Sequence, residues 1–259
     1  MYSIELWRND ERLAMAEGVT QANLYYEGKY DVGDFLLFKT PQPFCKVQVD
    51  QSIGEAEVFV PSKTFRYVIP ISDDLPLAYP PEAFCSLKHL ISIGEAPFEG
   101  RRNLALNPIA KRENEGVYPY IHANVETRDE SVFFARNVID GVHIANGHGE
   151  WPYQSWGIGA REDAEITLDF GREVVIDEMA LYLRADFPHD AYWVKATVVL
   201  SNGFSKTFDL QAIEGAQYIE LGEQKVSWIK MHKLIKCDMP SAFPALKQWE
   251  VYGKEAEKL

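Results

Sequence analysis

Ala164-Glu-Ile-Thr-Leu-Asp-Phe170 sets an apolar side chain at every second position and a polar one between. A two-residue period sends one set to each face of an extended chain, which marks a strand buried on one side. The same reading extends outward from this stretch. Glu178–Arg184, Val194–Leu200, Ser205–Leu210, Gln217–Leu221, Ser227–Met231 and Gln248–Tyr252 are short runs rich in β-branched and aromatic residues. Ser201-Asn202-Gly203 separates two of them, and Asn and Gly are the residues that tolerate the positive φ of a tight hairpin turn. Seven strands at short intervals, with one helical turn over Ser131–Ile139, predict an antiparallel β-sandwich.

The N-terminal half repeats the pattern on a smaller scale. Phe35–Phe38, Phe44–Val49, Ala56–Val60, Phe65–Ile69 and Leu87–Ile93 alternate or run apolar between Thr40-Pro41, Ser52-Ile53-Gly54 and Pro61-Ser62. Arg101 to Ile121 mixes charges, Asn, Pro and Gly without a period, as a surface-packed connector would. The expectation is an all-β protein of two β domains. A small N-terminal β domain spans 1–100, a connector 101–122, a β-sandwich 123–254 and a short tail 255–259.

The chain has 259 residues and a formal net charge of −13. That balance repels phosphate backbones and anionic membrane surfaces, so nucleic acid and membrane are excluded as expected partners. No basic start leads into an apolar run, and no stretch approaches the roughly 20 apolar residues of a membrane helix, so a soluble, cytoplasmic protein is expected. Cys45, Cys85 and Cys237 are too far apart for a zinc motif or a disulfide framework, and are read as reduced thiols.

Three clusters carry chemistry. In Ala135-Arg-Asn-Val-Ile-Asp140-Gly141-Val-His143 the Asp-Gly step makes a tight loop. A carboxylate and outward carbonyls converging there suit a hard cation, with Glu250 on the last strand closing the cage; the alternative is that Asp140 only caps a turn through nearby amides. The second cluster, Asn146 to Gly159, gathers His148, Glu150, Trp151, Tyr153 and Trp156 in a Gly-rich loop. Aromatic faces pack on the C–H face of a pyranose while polar neighbours meet its hydroxyls; the alternative is that Trp151 or Trp156 plugs the end of the sandwich. The third cluster, Arg184 to Trp193, holds Arg184, Asp186, His189, Asp190 and three aromatics. Each of its charges must be solvated or paired, which is costly for a mere connector.

The C-terminal half resembles the discoidin or coagulation-factor C-type domains, the galactose-binding-like β-sandwiches that include many carbohydrate-binding modules. The resemblance rests on Asn124-Val-Glu-Thr, Ala135 through Asp140-Gly141, Trp156, Ile166-Thr-Leu-Asp169-Phe-Gly171, Val175-Ile-Asp177-Glu178, Trp228-Ile-Lys230 and Leu246-Lys-Gln-Trp-Glu250-Val-Tyr-Gly253. It covers about half the chain and is similar to bacterial proteins in which such a domain follows a small β domain. It implies an eight-stranded jelly-roll sandwich with ligand loops at one end, and a structural calcium held through Asp140 and Glu250. The loop after Asp140-Gly141 is longer than the common pattern and lacks the usual Thr before the Trp.

The leading expectation is a non-catalytic carbohydrate-binding protein that recognises a small saccharide through His148, Glu150, Trp151, Tyr153, Arg184, Asp186, His189 and Trp193. A second is a protein-interaction module whose N-terminal domain supplies a homo-oligomer surface. A third is a sugar-processing enzyme with Asp186, His189 or Glu150 as acid and base. No G-x-S-x-G, H-E-x-x-H, P-loop or Rossmann pattern accompanies these residues.

Overall fold

The computed structural model describes residues 1–72, 75–96, 99–185 and 191–256. Its N-terminal part contains β1 (Tyr2–Arg8), β2 (Glu11–Gly18), β3 (Gln21–Glu27), β4 (Phe35–Lys39), β5 (Phe44–Gln48), β6 (Ala56–Phe59), β7 (Thr64–Val68) and β8 (Lys88–Gly94). They form two four-stranded antiparallel sheets, ordered β2-β1-β4-β7 and β3-β8-β5-β6. Ile4, Leu6, Leu36, Phe38 and Tyr67 of the first sheet share one buried cluster with Leu24, Val47, Val58, Ile91 and Ile93 of the second. The small all-β domain expected from the alternation is therefore itself a sandwich. Its first three strands lie in residues that the periodicity left unassigned. β2 reads Glu-Arg-Leu-Ala-Met-Ala-Glu-Gly, a composition that locally favours helix. Pairing with β1 from Tyr2↔Gly18 to Arg8↔Glu11 overrides that preference.

The C-terminal part contains β9 (Arg102–Asn103), β10 (Tyr120–Ala123), β11 (Trp156–Gly157), β12 (Ile166–Arg184), β13 (Trp193–Leu200), β14 (Ser205–Asp209), β15 (Gln217–Lys236) and β16 (Ala245–Glu255). The order is β11-β16-β12-β15-β13-β14, with β10 on β12 and β9 on β16. The Ser201-Asn202-Gly203 hairpin joins β13 to β14, and 3₁₀ turns occupy Ser131–Phe133 and Ala135–Ile139. The runs 164–170 and 178–184 are one strand, as are 217–221 and 227–231. β12 and β15 each pass through a glycine with φ of 68°, Gly171 and Gly222, and their register shifts between Asp169 and Val174. Bulged bends of this kind let a sheet curl instead of ending. Residues on both sides of the bends, Ile166, Phe170, Met179, Leu183, Leu221 and Ile229 among them, share one core with Trp156, Trp193 and Trp249.

Segment 101–122 is more than a surface connector, because β9 and β10 within it complete the C-terminal sheet. It also binds the two halves together: Phe59 and Tyr118 exchange both backbone hydrogen bonds, at 2.8 and 3.0 Å. Arg172 lays its guanidinium over Phe44 and Phe59, 5.1 and 5.3 Å from the ring centres. The start of the expected tail is Glu255, the last residue of β16, which accepts from Arg102 and Arg172. Cys45 and Cys237 are buried and Cys85 is exposed, all unpaired; burial pushes the Cys45 thiol up to about 12. Among the described residues no helix is long and apolar enough to cross a membrane.

Candidate functional site

The Asp140-Gly141 loop lies on the outer face of β16. Gly141, with φ of 85°, donates its N–H to Gln248 Oε1 at 3.1 Å. Asp140 Oδ1 accepts from Val142 N–H at 2.8 Å and Gln248 Nε2 at 2.6 Å, and Oδ2 accepts from Gln154 Nε2 at 2.9 Å. Burial raises the pKa of Asp140 above the ordinary carboxylate value, partly opposed by the charges of Lys247 and Arg136. Glu250 has partners of its own: Oε1 accepts from His143 Nε2 at 2.9 Å, and Oε2 from the Tyr252 and Tyr182 hydroxyls at 2.9 and 3.2 Å. Calcium requires six to eight oxygen ligands with lone pairs to spare. Asp140 and Glu250 each receive three N–H or O–H donors, which leaves about one of four lone-pair sites on each carboxylate, so as bonded here the two supply few of the oxygens the ion takes. Among the described residues no group of three or more His, Cys, Asp or Glu side chains is placed to hold a metal. Asp140 here does the work of a turn cap.

The aromatic loop residues expected at the ligand separate into two sets. Tyr153, Arg184 and Trp193 are buried. The Tyr153 ring packs edge-on against Phe133, and Arg184 lies 4.4 Å over it while donating to the Tyr153 carbonyl at 2.7 Å. Trp193 packs against Trp156, whose indole N–H donates to the Val125 carbonyl at 2.8 Å. These faces are taken up by protein contact, and Trp156 is the plug that the alternative reading foresaw. His148 and Glu150 are exposed and Trp151 is half-buried, with His148 tilted against Tyr153 at 4.7 Å. Asp186 and His189 lie outside the described residues.

A second constellation has assembled around Glu250. On β16, Gln248, Glu250 and Tyr252 face away from the core residues Trp249 and Val251. Register places Glu250 beside Ala180 of β12, Ala180 beside Tyr218 of β15, and Glu178 beside Tyr252. Ala180 is fully covered although it points outward, while Tyr218 is 60% exposed. The loop that crosses β16 ends its contact at His143, whose ring stands edge-on to Tyr182 at 4.7 Å. Tyr182, Tyr218 and Tyr252 therefore make a floor, and His143 makes a wall beside it. Arg101 lies 5.0 Å above Tyr252 and pairs with Asp177 and Glu178 at 2.7 and 2.8 Å.

The electrostatics of the ledge centre on the Glu250 carboxylate and its three donors. Burial pushes Glu250 up, but the bonds from His143, Tyr252 and Tyr182 and the His143 charge outweigh it, leaving the carboxyl below its ordinary range. The bond to Glu250 raises His143 against its desolvation. Burial and the adjacent carboxylate push Tyr182 up to about 12 and raise Tyr252. Sequence reasoning quoted His143 without assigning it and passed over the three tyrosines. Their signal was aromatic residues at the outward positions of strands, where charged residues are the usual occupants.

No family model matches the chain, and no curated protein matches it. Solved structures similar to this chain include carbohydrate-binding modules. A chitosan-binding module from the chitosanase/glucanase of Paenibacillus sp. IK-5 is 17% identical, with a TM-score of 0.41 over 59% of this chain and 99% of that one. A Streptococcus pneumoniae fucose-binding module is 15% identical, with a TM-score of 0.44 over 60% and 98%. The family 32 module of NanJ from C. perfringens, in complex with galactose, is 14% identical, with a TM-score of 0.36 over 51% and 91%.

Proposed function

We propose that the protein is a non-catalytic saccharide-binding protein that holds its ligand on the ledge formed by Tyr182, Tyr218, Tyr252, Glu250 and His143. The observation that carries this reading is the aromatic floor: Tyr218 is 60% exposed, on the same outer face as Tyr182 and Tyr252. Glu250, itself only 7% exposed, is an ionised carboxylate that ties Tyr182, Tyr252 and the exposed His143 together beneath that surface. A sugar ring needs both components: an aromatic surface for its C–H face, and polar groups already oriented for its hydroxyls. His148, Glu150 and Trp151, farther along the covering loop, are the contacts proposed for a ligand longer than one ring. Two features support binding without catalysis. Glu250 is held in its ionised form, so it is a poor proton donor at neutral pH, and the neighbouring Glu178 is engaged by Arg101. A glycosidase needs one carboxyl kept protonated opposite a second free one.

The test is calorimetric titration with a panel of mono- and oligosaccharides, repeated for Tyr218→Ala and Glu250→Gln. Loss of one aromatic stacking partner removes about 0.5–1.5 kcal/mol, roughly a two- to twelvefold loss of affinity. Absence of binding at millimolar saccharide, or a bound sugar indifferent to both substitutions, overturns the proposal.

A further inference from the structure

A cleft of about 380 Å³ opens where the two halves of the chain meet. Its N-terminal wall carries Lys46, Glu55 and Glu57, and its C-terminal wall carries Arg102, Asn103 and Arg172. Leu104, Leu106 and Pro119 supply the apolar part of the lining. The volume falls in the lower part of the range of small-molecule sites, about 300–1,000 Å³.

The charges decide what fits. Lys46 pairs with Glu55 at 2.9 Å, and Arg102 reaches across to Glu57 at 3.6 Å. Behind the lining, Glu255 accepts from Arg102 at 2.6 Å and from both Nε and Nη2 of Arg172, at 2.8 and 2.7 Å. Lys46, Arg102 and Arg172 are thus balanced by Glu55, Glu57 and Glu255. An ionic ligand that displaced Glu255 would leave Arg102 or Arg172 unpaired where their side chains are 20% and 11% exposed, which is costly; the Lys46–Glu55 pair at the mouth is more exposed and contributes less to this selection. A neutral hydroxylated ligand has no such penalty, because each hydroxyl both donates and accepts and can bridge an ion pair without separating it. The Asn103 Oδ1 atom is occupied by the N–H groups of Ala105 and Val251, at 3.0 and 3.1 Å. Its amide nitrogen makes no hydrogen bond to a described residue, leaving a donor at the cleft. Leu106, 38% exposed, offers the apolar surface against which the C–H face of such a molecule packs, with the buried Leu104 and Pro119 behind it.

We infer that this cleft binds a small neutral polyhydroxylated molecule of monosaccharide or cyclitol size, held by both halves of the chain at once. The cleft shares no lining residue with the Glu250 ledge, although its Asn103 pairs in register with Tyr252, and the inference does not depend on the reading given to the ledge.

The experiment follows backbone amide signals of the ¹⁵N-labelled full chain during titration with glucose, galactose and myo-inositol, and with glucuronate and glucosamine as charged counterparts. The expected result is a saturable shift at Asn103 and Leu106 for at least one neutral ligand, with the charged counterparts weaker. Glu55→Trp fills the exposed mouth and Lys46→Ala removes one polar wall. Each should weaken that binding about tenfold or more, while Tyr218→Ala leaves it unchanged. No saturable shift with any neutral ligand overturns the inference. Tighter binding of a charged counterpart does so too, as does loss of the same shifts in Tyr218→Ala.

Discussion

Replacing Gln248 by Leu should loosen the segment that carries His143 over the outer sheet face. Gln248 is 2% exposed. Its amide nitrogen lies 2.7 Å from the Asn137 carbonyl, 2.6 Å from Asp140 Oδ1 and 2.9 Å from the Lys247 carbonyl, while its oxygen receives the Gly141 N–H at 3.1 Å. Two amide hydrogens and one acceptor give three good bonds, one of them to a charge. Leu keeps the volume but leaves Gly141 N–H and the Asn137 carbonyl unanswered and takes one donor from Asp140. Neutral bonds contribute about 1 kcal/mol each and a charged one about 1.5–3. After the gain from an added apolar group, the net loss should be roughly 2–4 kcal/mol. Urea unfolding followed by tryptophan fluorescence reads this directly, because of the six Trp only Trp7 lies outside the C-terminal half. Gln248→Glu, with a carboxylate in place of the donating amide beside Asp140, should cost more than Leu at neutral pH and recover as acid protonates it. A loss under about 1 kcal/mol for Leu, or a Glu variant no worse than Leu at neutral pH, refutes this account of the segment.

His143 is raised by its bond to Glu250, so its contribution to stability is complete below its ordinary value of about 6.5 and disappears as pH rises through the raised one. The Glu250 contribution runs the other way and is lost as pH falls through its depressed value. His143→Ala should therefore cost about 0.2–1 kcal/mol near pH 5.5 and clearly less near pH 9. Equal losses at the two pH values in denaturant melts would count against the pair. Gly171 and Gly222 share a φ of 68°, but a Cβ on Gly171 would come within 2.7 Å of Tyr118 Cδ1, whereas one on Gly222 meets nothing within 4 Å. Gly222→Ala should cost only the left-handed backbone penalty of about 1–2 kcal/mol. Gly171→Ala should cost distinctly more, and parity between them in the same melts would contradict the packing of Tyr118.

Strand identity was readable wherever burial is one-sided, because a two-residue period is then imposed on the chain itself. It failed in two instructive ways. β2 is built of helix-favouring residues and becomes a strand only by pairing with β1. Gly171 and Gly222 looked like strand ends, yet their positive φ bends β12 and β15 without breaking them. Among the loop residues, Tyr153 and Trp193 looked like ligand contacts because aromatic-rich loops often are. Exposure depends on what packs against a residue, and here Phe133, Arg184 and Trp156 cover them.

The sequence by itself determined an all-β chain in two parts, the hairpin at Asn202-Gly203, the acidic balance and the tight turn at Asp140-Gly141. Each of these follows from local backbone preference or from composition. The ledge and the cleft were decided only by tertiary structure. Tyr182, Tyr218 and Glu250 meet because β12, β15 and β16 pair in one register, and a shift of one residue would send each to the opposite face. Lys46 and Glu57 face Arg102 only because Phe59 pairs with Tyr118 and Arg172 packs on Phe44 and Phe59, joining halves of the chain whose contacts no local pattern encodes.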